Sequence, residues 1–120
     1  MTRAEAGSTQ PALVEVLIPV TSTGAARRFY EDVLGAELLE EDGECVRMRI
    51  GALSVVLHGG ERAGDVQLIF STDDAAADWE RVQAHGCHVV EALGDRHWGV
   101  RDFGVADPDG HEVYLAQKLG

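Results

Sequence analysis

The amino-acid sequence predicts an α+β fold made of two βαβββ modules in a single domain of residues 12–118. A strand pattern, a helical pattern and three further strand patterns follow one another in residues 12–59, and the same order returns in residues 64–118. The helix-ending glycines of the two halves, Gly35 and Gly86, lie about 51 residues apart, which indicates an internal duplication. The length of 120 residues suits one core and is marginal for two independent domains.

The first module begins after residues 1–11, which are small and polar and are predicted to form a flexible tail. Residues 13–20 are apolar and β-branched, as is typical of a strand, and Glu15 is their one charged member. A hydroxyl cap then precedes a helix predicted over residues 25–34, and Gly35 ends it. The other strands of this module are predicted over residues 37–41, 45–50 and 53–58, with a hairpin turn at Asp42-Gly43.

The second module follows a polar, turn-rich boundary at residues 59–64. Asp73 and Asp74 provide a cap for a helix predicted over residues 75–84, with Trp79 turned inward. A longer excursion at residues 92–98 distinguishes this module from the first. Its strands are predicted over residues 66–70, 88–91, 99–106 and 112–117, the last after the turn Asp107-Pro108-Asp109-Gly110.

Composition and charge exclude several classes of partner and location. The chain carries 10 Lys and Arg against 21 Asp and Glu, a formal charge of −11, which disfavours nucleic acid and anionic membranes as partners. Its apolar runs are too short to span a bilayer, and no secretory signal is recognised, so a cytoplasmic location is expected. Cys45 and Cys87 lack metal-type spacing and are interpreted as free thiols rather than a disulfide.

Several catalytic classes have no motif in the chain. No GxSxG, phosphate-binding loop, CxxC or HExxH pattern is present, which leaves serine hydrolase, nucleotide-binding, thiol redox and zincin functions without support. The histidines are interpreted as solvated or structural, and the aspartates of the 107–110 turn as geometric.

Three segments in order resemble one family. They are RFYEDVLG at residues 28–35, the helix and strand at residues 73–90, and WGVRDF with DPDGH at residues 98–111. Together they resemble the vicinal oxygen chelate superfamily, in its glyoxalase/bleomycin-resistance branch. The resemblance implies two βαβββ modules that form a cup-shaped mixed sheet, and a homodimer with the cups at or near its interface.

The resemblance also locates the family's metal positions. Enzymes such as glyoxalase I, methylmalonyl-CoA epimerase and extradiol dioxygenases bind a divalent metal through His, Gln or Glu on the first and last strands of each module. Counting from the helix and turn signatures gives Glu15, Val55, Gln67 and Tyr114 here. Valine has no lone pair, and a phenol with a pKa near 10 is a poor ligand, so neither a metal nor another cofactor is expected.

Side-chain alternation in the first strand makes Glu15 a candidate site residue. Alternate residues share a face of a strand, so Glu15 shares one with Leu13 and Leu17. The opposite face, suited to packing under a helix, carries Val14, Val16, Ile18 and Val20. A carboxylate on an apolar strand is costly to bury, which indicates a site. The alternative is an edge position at which Glu15 meets water.

Four further residues complete the candidate ligand site: Gln67, Trp98, Asp102 and Tyr114. In antibiotic-binding relatives an aromatic residue at the position of Trp98 helps line the ligand groove by stacking, whereas the alternative is a hydrophobic plug over the sheet edge. Tyr114 either hydrogen-bonds a ligand or packs in the core. Acidic groups at the cup, Glu15, Asp102 and Glu112, favour a cationic ligand.

The sequence therefore predicts a metal-independent protein that binds and sequesters a small molecule, a natural-product antibiotic, as bleomycin-resistance proteins do. No catalytic residue is assigned in this interpretation. The alternative is a metal-dependent lyase, isomerase or dioxygenase in which Glu15 is a ligand or general base and Gln67 a second ligand. A metal-free enzyme with Glu15 as its base lies between the two.

Overall fold

The computed structural model describes residues 11, 13, 15–60 and 65–120. Residues 1–10 of the predicted tail and residues 61–64 of the predicted boundary lie outside the described residues. The elements in chain order are β1 (Glu15–Val20), α1 (Thr23–Leu34), β2 (Glu37–Asp42), β3 (Cys45–Ile50), β4 (Leu53–Gly59), β5 (Gln67–Ser71), α2 (Ala75–Ala84), β6 (His88–Asp95), β7 (Val100–Ala106) and β8 (Glu112–Lys118).

The strands of the described residues form two four-stranded mixed sheets. Their orders are β1-β4-β3-β2 and β5-β8-β7-β6, so the two modules have the same topology. In each sheet the first strand of the module runs parallel to the last, and the remaining neighbours are antiparallel. The predicted α+β fold of two βαβββ modules is confirmed.

The helices begin and end as the capping pattern predicts. The Ser22 hydroxyl accepts a hydrogen bond from the Ala25 N–H (3.2 Å) at the start of α1, and Asp74 accepts one from the Ala77 N–H (3.0 Å) in α2. Gly35 ends α1 with φ 66°, a left-handed conformation that glycine adopts at low cost. Neither helix of the described residues is long and apolar enough to cross a membrane.

One hydrophobic core joins the inner faces of both sheets with both helices. The fully buried residues at its centre are Ile18, Val20, Val33, Val46, Met48, Leu57, Val82, Phe103, Val105 and Val113. The predicted alternation in β1 is confirmed, because Ile18 and Val20 point inward while Glu15 and Leu17 point outward. Val14, placed on the same inward face, lies outside the described residues.

Val55 was expected at a family metal position facing the cup, and this expectation is wrong. Val55 is 1% exposed and belongs to the core beneath α1, on the face opposite Glu15. The parallel register pairs Glu15 with Ser54 and Leu17 with Val56, so these two β4 residues share the outward face. Counting along the chain fails here by one residue, and in a strand one residue reverses the face.

A buried polar network connects the two modules. The hydroxyl of the fully buried Tyr30 donates to the Asp107 carboxylate (2.8 Å). His111 Nδ1 accepts from the Val66 N–H (3.0 Å), and its Nε2 lies 2.7 Å from the Pro19 carbonyl oxygen. Because a carbonyl only accepts, Nε2 carries the proton. The 107–110 turn is thus structural, as predicted, and it also fastens module two to module one.

The β6–β7 hairpin is longer than the sequence predicts. The excursion expected at residues 92–98 is largely strand, because β6 continues to Asp95 with Gly94 opposite Asp102 and Asp95 opposite Arg101. Both nitrogens Nε and Nη2 of Arg101 donate to Asp95 (2.6 and 3.1 Å). This cross-strand ion pair supports pairing that alternation of apolar residues does not reveal.

Both cysteines are free thiols, as predicted, and both are half-buried. Burial raises the pKa of the Cys87 thiol, and the nearby Asp32 carboxylate raises it further. Cys87 is therefore protonated at neutral pH and is a poor nucleophile.

Candidate functional site

Four of the five predicted site residues lie together on the outward face of the second sheet. Gln67, Trp98, Asp102 and Tyr114 line a groove of about 340 Å³, which is called the module two groove below. Its other lining residues are Ile69, Val100 and Ala116. The strand register explains this arrangement, because Ile69 lies opposite Tyr114 on β8, and Asp102 on β7 lies opposite Ala116.

The walls of the module two groove are mostly apolar, and the groove is open to solvent. Ile69 on the edge strand β5 is 75% exposed, and Trp98 at the tip of the β6–β7 hairpin is 63% exposed. The Trp98 ring meets the His97 ring edge-on at 4.8 Å between centroids, so one face of the indole remains available for stacking. Adjacent exposed apolar side chains of this size are typical of binding surfaces.

A carboxylate binds two of the residues that line the module two groove. Glu112 lies opposite Gln67 in the parallel register, and its Oε1 accepts from Gln67 Nε2 (3.1 Å) and from the Tyr114 hydroxyl (2.8 Å). The hydrogen bond to Glu112, together with partial burial, raises the pKa of Tyr114. The phenol therefore stays protonated at neutral pH and remains a donor.

Gly104 gives the Tyr114 ring its position. The two residues lie opposite each other on β7 and β8, and a Cβ added to Gly104 would fall 2.5 Å from Tyr114 Cε1. The tyrosine ring therefore lies flat over the backbone of β7. This orientation directs its hydroxyl along β8 towards Glu112.

Asp102 is engaged by an arginine rather than presented to the groove as a free carboxylate. Arg96 Nε donates to Asp102 Oδ1 (2.8 Å), and Arg96 Nη2 donates to the Ala92 carbonyl oxygen (2.7 Å). The hydrogen bond to Asp102 is the main cause of the raised pKa of Arg96. Because Arg96 bridges β6 and β7 beside the turn, it positions the tip that carries Trp98.

Glu15 lies on the other sheet, on the outward face of module one. Its carboxylate accepts from Arg47 Nε (2.7 Å) and from the Ser54 hydroxyl (2.9 Å), and it is solvent-exposed on the edge strand. The hydrogen bond from Arg47 lowers the pKa of Glu15, and the bond from Ser54 lowers it further. Glu15 is thus a paired surface carboxylate and does not line the module two groove.

The donor groups do not fit a divalent metal in this chain. Of the four positions counted from the family pattern, Val55 is in the core and Glu15 is paired with Arg47, while Gln67 and Tyr114 both bind Glu112. Across residues 15–60 and 65–120, no three His, Cys, Asp or Glu side chains form a group that could hold a metal ion. A single carboxylate with neutral donors is a weak ligand set.

Sequence reasoning did not assign three residues that build this site. Glu112 was weighed only for its charge, although its alternation with Tyr114 on β8 places both on one face. Gly104 and Arg96 were not considered. Gly104 leaves room for the ring of Tyr114, which lies opposite it on β8, and Arg96 donates a hydrogen bond to Asp102. Neither contact can be recognised from the local sequence.

Solved structures with the same fold include proteins of different activities. TioX from Micromonospora sp. ML1 is 23% identical with a TM-score of 0.79, covering 91% of this chain and 100% of that chain. The fosfomycin resistance protein FosX from Listeria monocytogenes is 17% identical with a TM-score of 0.82 (92% and 96% covered). Lactoylglutathione lyase from Agrobacterium tumefaciens is 22% identical with a TM-score of 0.76 (92% and 96%). At these identities the likeness establishes the fold alone.

Family membership follows from the sequence. No curated protein matches the chain significantly. The model of the Glyoxalase/Bleomycin resistance protein/Dioxygenase superfamily matches residues 12–115, nearly the whole described domain and all three motifs that suggested the resemblance. The chain belongs to this superfamily.

Proposed function

We propose that this protein binds a small natural-product antibiotic in the module two groove and protects by sequestering it rather than by converting it. The observation that carries the proposal is the exposed Trp98 indole beside Ile69 in a mostly apolar groove. A volume of about 340 Å³ with apolar walls and few polar groups is typical of small-molecule sites. Two solved relatives of the same fold set the range of activities: a fosfomycin resistance protein and a lactoylglutathione lyase.

Binding of this kind needs no metal or other cofactor. The groove offers stacking, apolar contact and hydrogen bonds, and the residues at the family metal positions are poor ligands here. The enzyme alternative, in which Glu15 acts as a base, is less favoured because Arg47 lowers the pKa of Glu15 and so weakens it as a proton acceptor.

A homodimer is part of the proposal. Leu17 on β1 and Ile69 on β5 occupy equivalent positions in the duplicated modules, and both are edge-strand residues, 57% and 75% exposed. A second copy that packs its β1 edge against the β5 edge, by two-fold symmetry, covers Leu17 in both copies and adds to the wall of each module two groove at Ile69. Leu17→Asp is expected to shift the molar mass measured by light scattering from dimer to monomer, and an unchanged mass would argue against this interface.

The protein is placed in the cytoplasm by the same proposal. Cys45 and Cys87 are free thiols in the structure, which suits a reducing compartment. Selective alkylation of intact cells with permeant and impermeant maleimides tests the location. Labelling of Cys45 or Cys87 in intact cells by the maleimide that cannot cross the membrane would contradict a cytoplasmic location.

The direct test is binding to a panel of natural-product antibiotics by isothermal titration calorimetry, with elemental analysis of the purified protein after incubation with Fe, Mn, Ni, Co and Zn. We expect at least one ligand bound without metal, and a loss of roughly tenfold or more in affinity for Trp98→Ala. Leu39→Ala, which removes an exposed apolar side chain from module one, is the control and is expected to bind normally. Stoichiometric metal with turnover of a bound compound would refute sequestration.

A further inference from the structure

The carboxylates on the outward faces differ in how their charge is compensated. Glu15 is paired with Arg47 (2.7 Å), and Asp102 is paired with Arg96 (2.8 Å). Glu112 instead accepts from two neutral donors, the Gln67 amide and the Tyr114 hydroxyl. Of the three acidic groups that the sequence suggested for a cationic ligand, only Glu112 therefore retains an uncompensated charge among the described residues.

The two oxygens of Glu112 are not equivalent. Both neutral donors reach Oε1, and among the described residues no hydrogen bond or ion pair reaches Oε2. Gln67 and Tyr114 thus fix the plane of the carboxylate and leave one oxygen available. Gly104 in turn keeps the Tyr114 ring in place. Glu112 is half-buried, and its carboxylate is held by one donor on β5, Gln67, and one on β8, Tyr114.

Glu112 is also next to the apolar surface that a ligand would cover. Its two hydrogen-bond donors, Gln67 and Tyr114, line the module two groove together with Trp98. A single carboxylate beside a mostly apolar groove favours a monovalent organic cation over a metal ion, because one oxygen cannot replace the hydration shell of a divalent ion. A protonated amine needs one charge-assisted hydrogen bond and tolerates apolar neighbours.

We propose that Glu112 is the residue that selects the ligand, through a hydrogen bond from a protonated amine to its Oε2, while the aromatic or apolar part of the same molecule lies in the module two groove. This inference rests on the proposed binding function and narrows it to amine-bearing ligands. The formal charge of −11 supports the encounter with such a cation at low salt.

The test compares two probes of equal shape, 2-naphthylmethylamine and 2-naphthylmethanol, by ligand-observed NMR and calorimetry in low salt. The amine is expected to bind roughly tenfold more tightly than the alcohol, as is typical of one charge-assisted hydrogen bond. Glu112→Gln is expected to abolish that preference, so that the two probes bind with similar affinity, and circular dichroism reports that the variant is folded. Glu80→Gln, which removes one exposed charge from α2, is expected to keep the preference.

Each other outcome overturns the inference. If both probes bind equally to the unmodified protein, or if Glu112→Gln keeps the preference, Glu112 is not the anchor, while the groove function stands. If Glu80→Gln reduces the preference as much as Glu112→Gln, the effect is long-range charge and not a contact. If neither probe binds, the proposed groove function fails together with the anchor.

Discussion

The outward faces of the two modules have the same topology and different chemistry. On module one, Arg47 bridges Glu15 (2.7 Å) and Glu40 (2.8 Å), and these ion pairs lie beside the exposed Leu17 side chain. On module two, Trp98 and Ile69 are exposed and line a mostly apolar groove. The inward faces, by contrast, are apolar in both modules. Duplication thus conserved the side that must pack and left the other side free to diverge.

This contrast explains why one face is a candidate site and the other is not. Exposed ion pairs contribute little to stability, and their charged groups are well hydrated. Covering them with an apolar molecule therefore gains little binding free energy. Exposed apolar surface on module two gains free energy when a ligand covers it, at roughly 25 cal/mol per Å². The more favourable place for a small apolar or aromatic ligand is therefore module two.

The largest effect is expected from a substitution that removes the hydrogen bonds between module one and module two. Asp107 is 5% exposed and accepts hydrogen bonds from the Tyr30 hydroxyl and from the His111 and Asp109 N–H groups. Asp107→Ala leaves these buried donors unpaired, and we expect a loss of about 3 kcal/mol or more in the free energy of unfolding. Urea denaturation measures it. Asp109→Ala, at the same turn, is expected to cost less, and equal losses would contradict a buried network.

The next effect is specific to module two. Gly104→Ala places a Cβ where the Tyr114 ring lies, so we expect a loss of about 1–3 kcal/mol in unfolding free energy, with weaker ligand binding. Adding Tyr114→Ala to the Gly104→Ala variant removes the clash, and the double variant is expected to lose less than the sum of the two. Gly43→Ala, with open space around the added Cβ, serves as the control. Additive losses would show that the ring does not occupy that space.

A smaller effect is expected from substituting one arginine on the outward face of each module. Arg47 pairs with exposed carboxylates, whereas Arg96 pairs with Asp102 beside the turn that carries Trp98. We expect Arg96→Gln to reduce ligand affinity and to change the fluorescence anisotropy of Trp98 in a Trp79→Phe background. Arg47→Gln is expected to leave both signals unchanged. The same response from both variants would mean that Arg96 has no particular role in positioning Trp98.

The smallest effect is the pH response of module one. The pKa of Glu15 is lowered in the folded protein, so its pairing with Arg47 stabilises the fold above the ordinary pKa of a glutamate, and this stabilisation is lost as the pH falls through the lowered value. NMR titration is expected to show a higher pKa for Glu15 in Arg47→Ala. The stability difference between the two proteins should shrink on acidification. A Glu15 pKa that Arg47→Ala does not raise would contradict the pairing.

Most of the fold could be predicted because its signals are local. Caps at Ser22 and Asp74, the left-handed glycine at Gly35 and the repeated order of elements act over a few residues, or over the known offset between modules. The extension of β6 to Asp95 was missed because it depends on pairing with β7, which alternation does not encode. Val55 was misplaced because a one-residue error in register reverses the face of a strand.

The sequence by itself determined the family, the two modules and four residues that the structure brings to one groove: Gln67, Trp98, Asp102 and Tyr114. Only the tertiary structure decided what those residues do there. In the folded protein Asp102 is paired with Arg96, and Glu15 lies on the other sheet, paired with Arg47. Glu112 accepts hydrogen bonds from Gln67 and Tyr114. The physical reason is that alternation specifies the face on which a side chain lies, whereas its charge partner depends on strands and turns that only folding brings together.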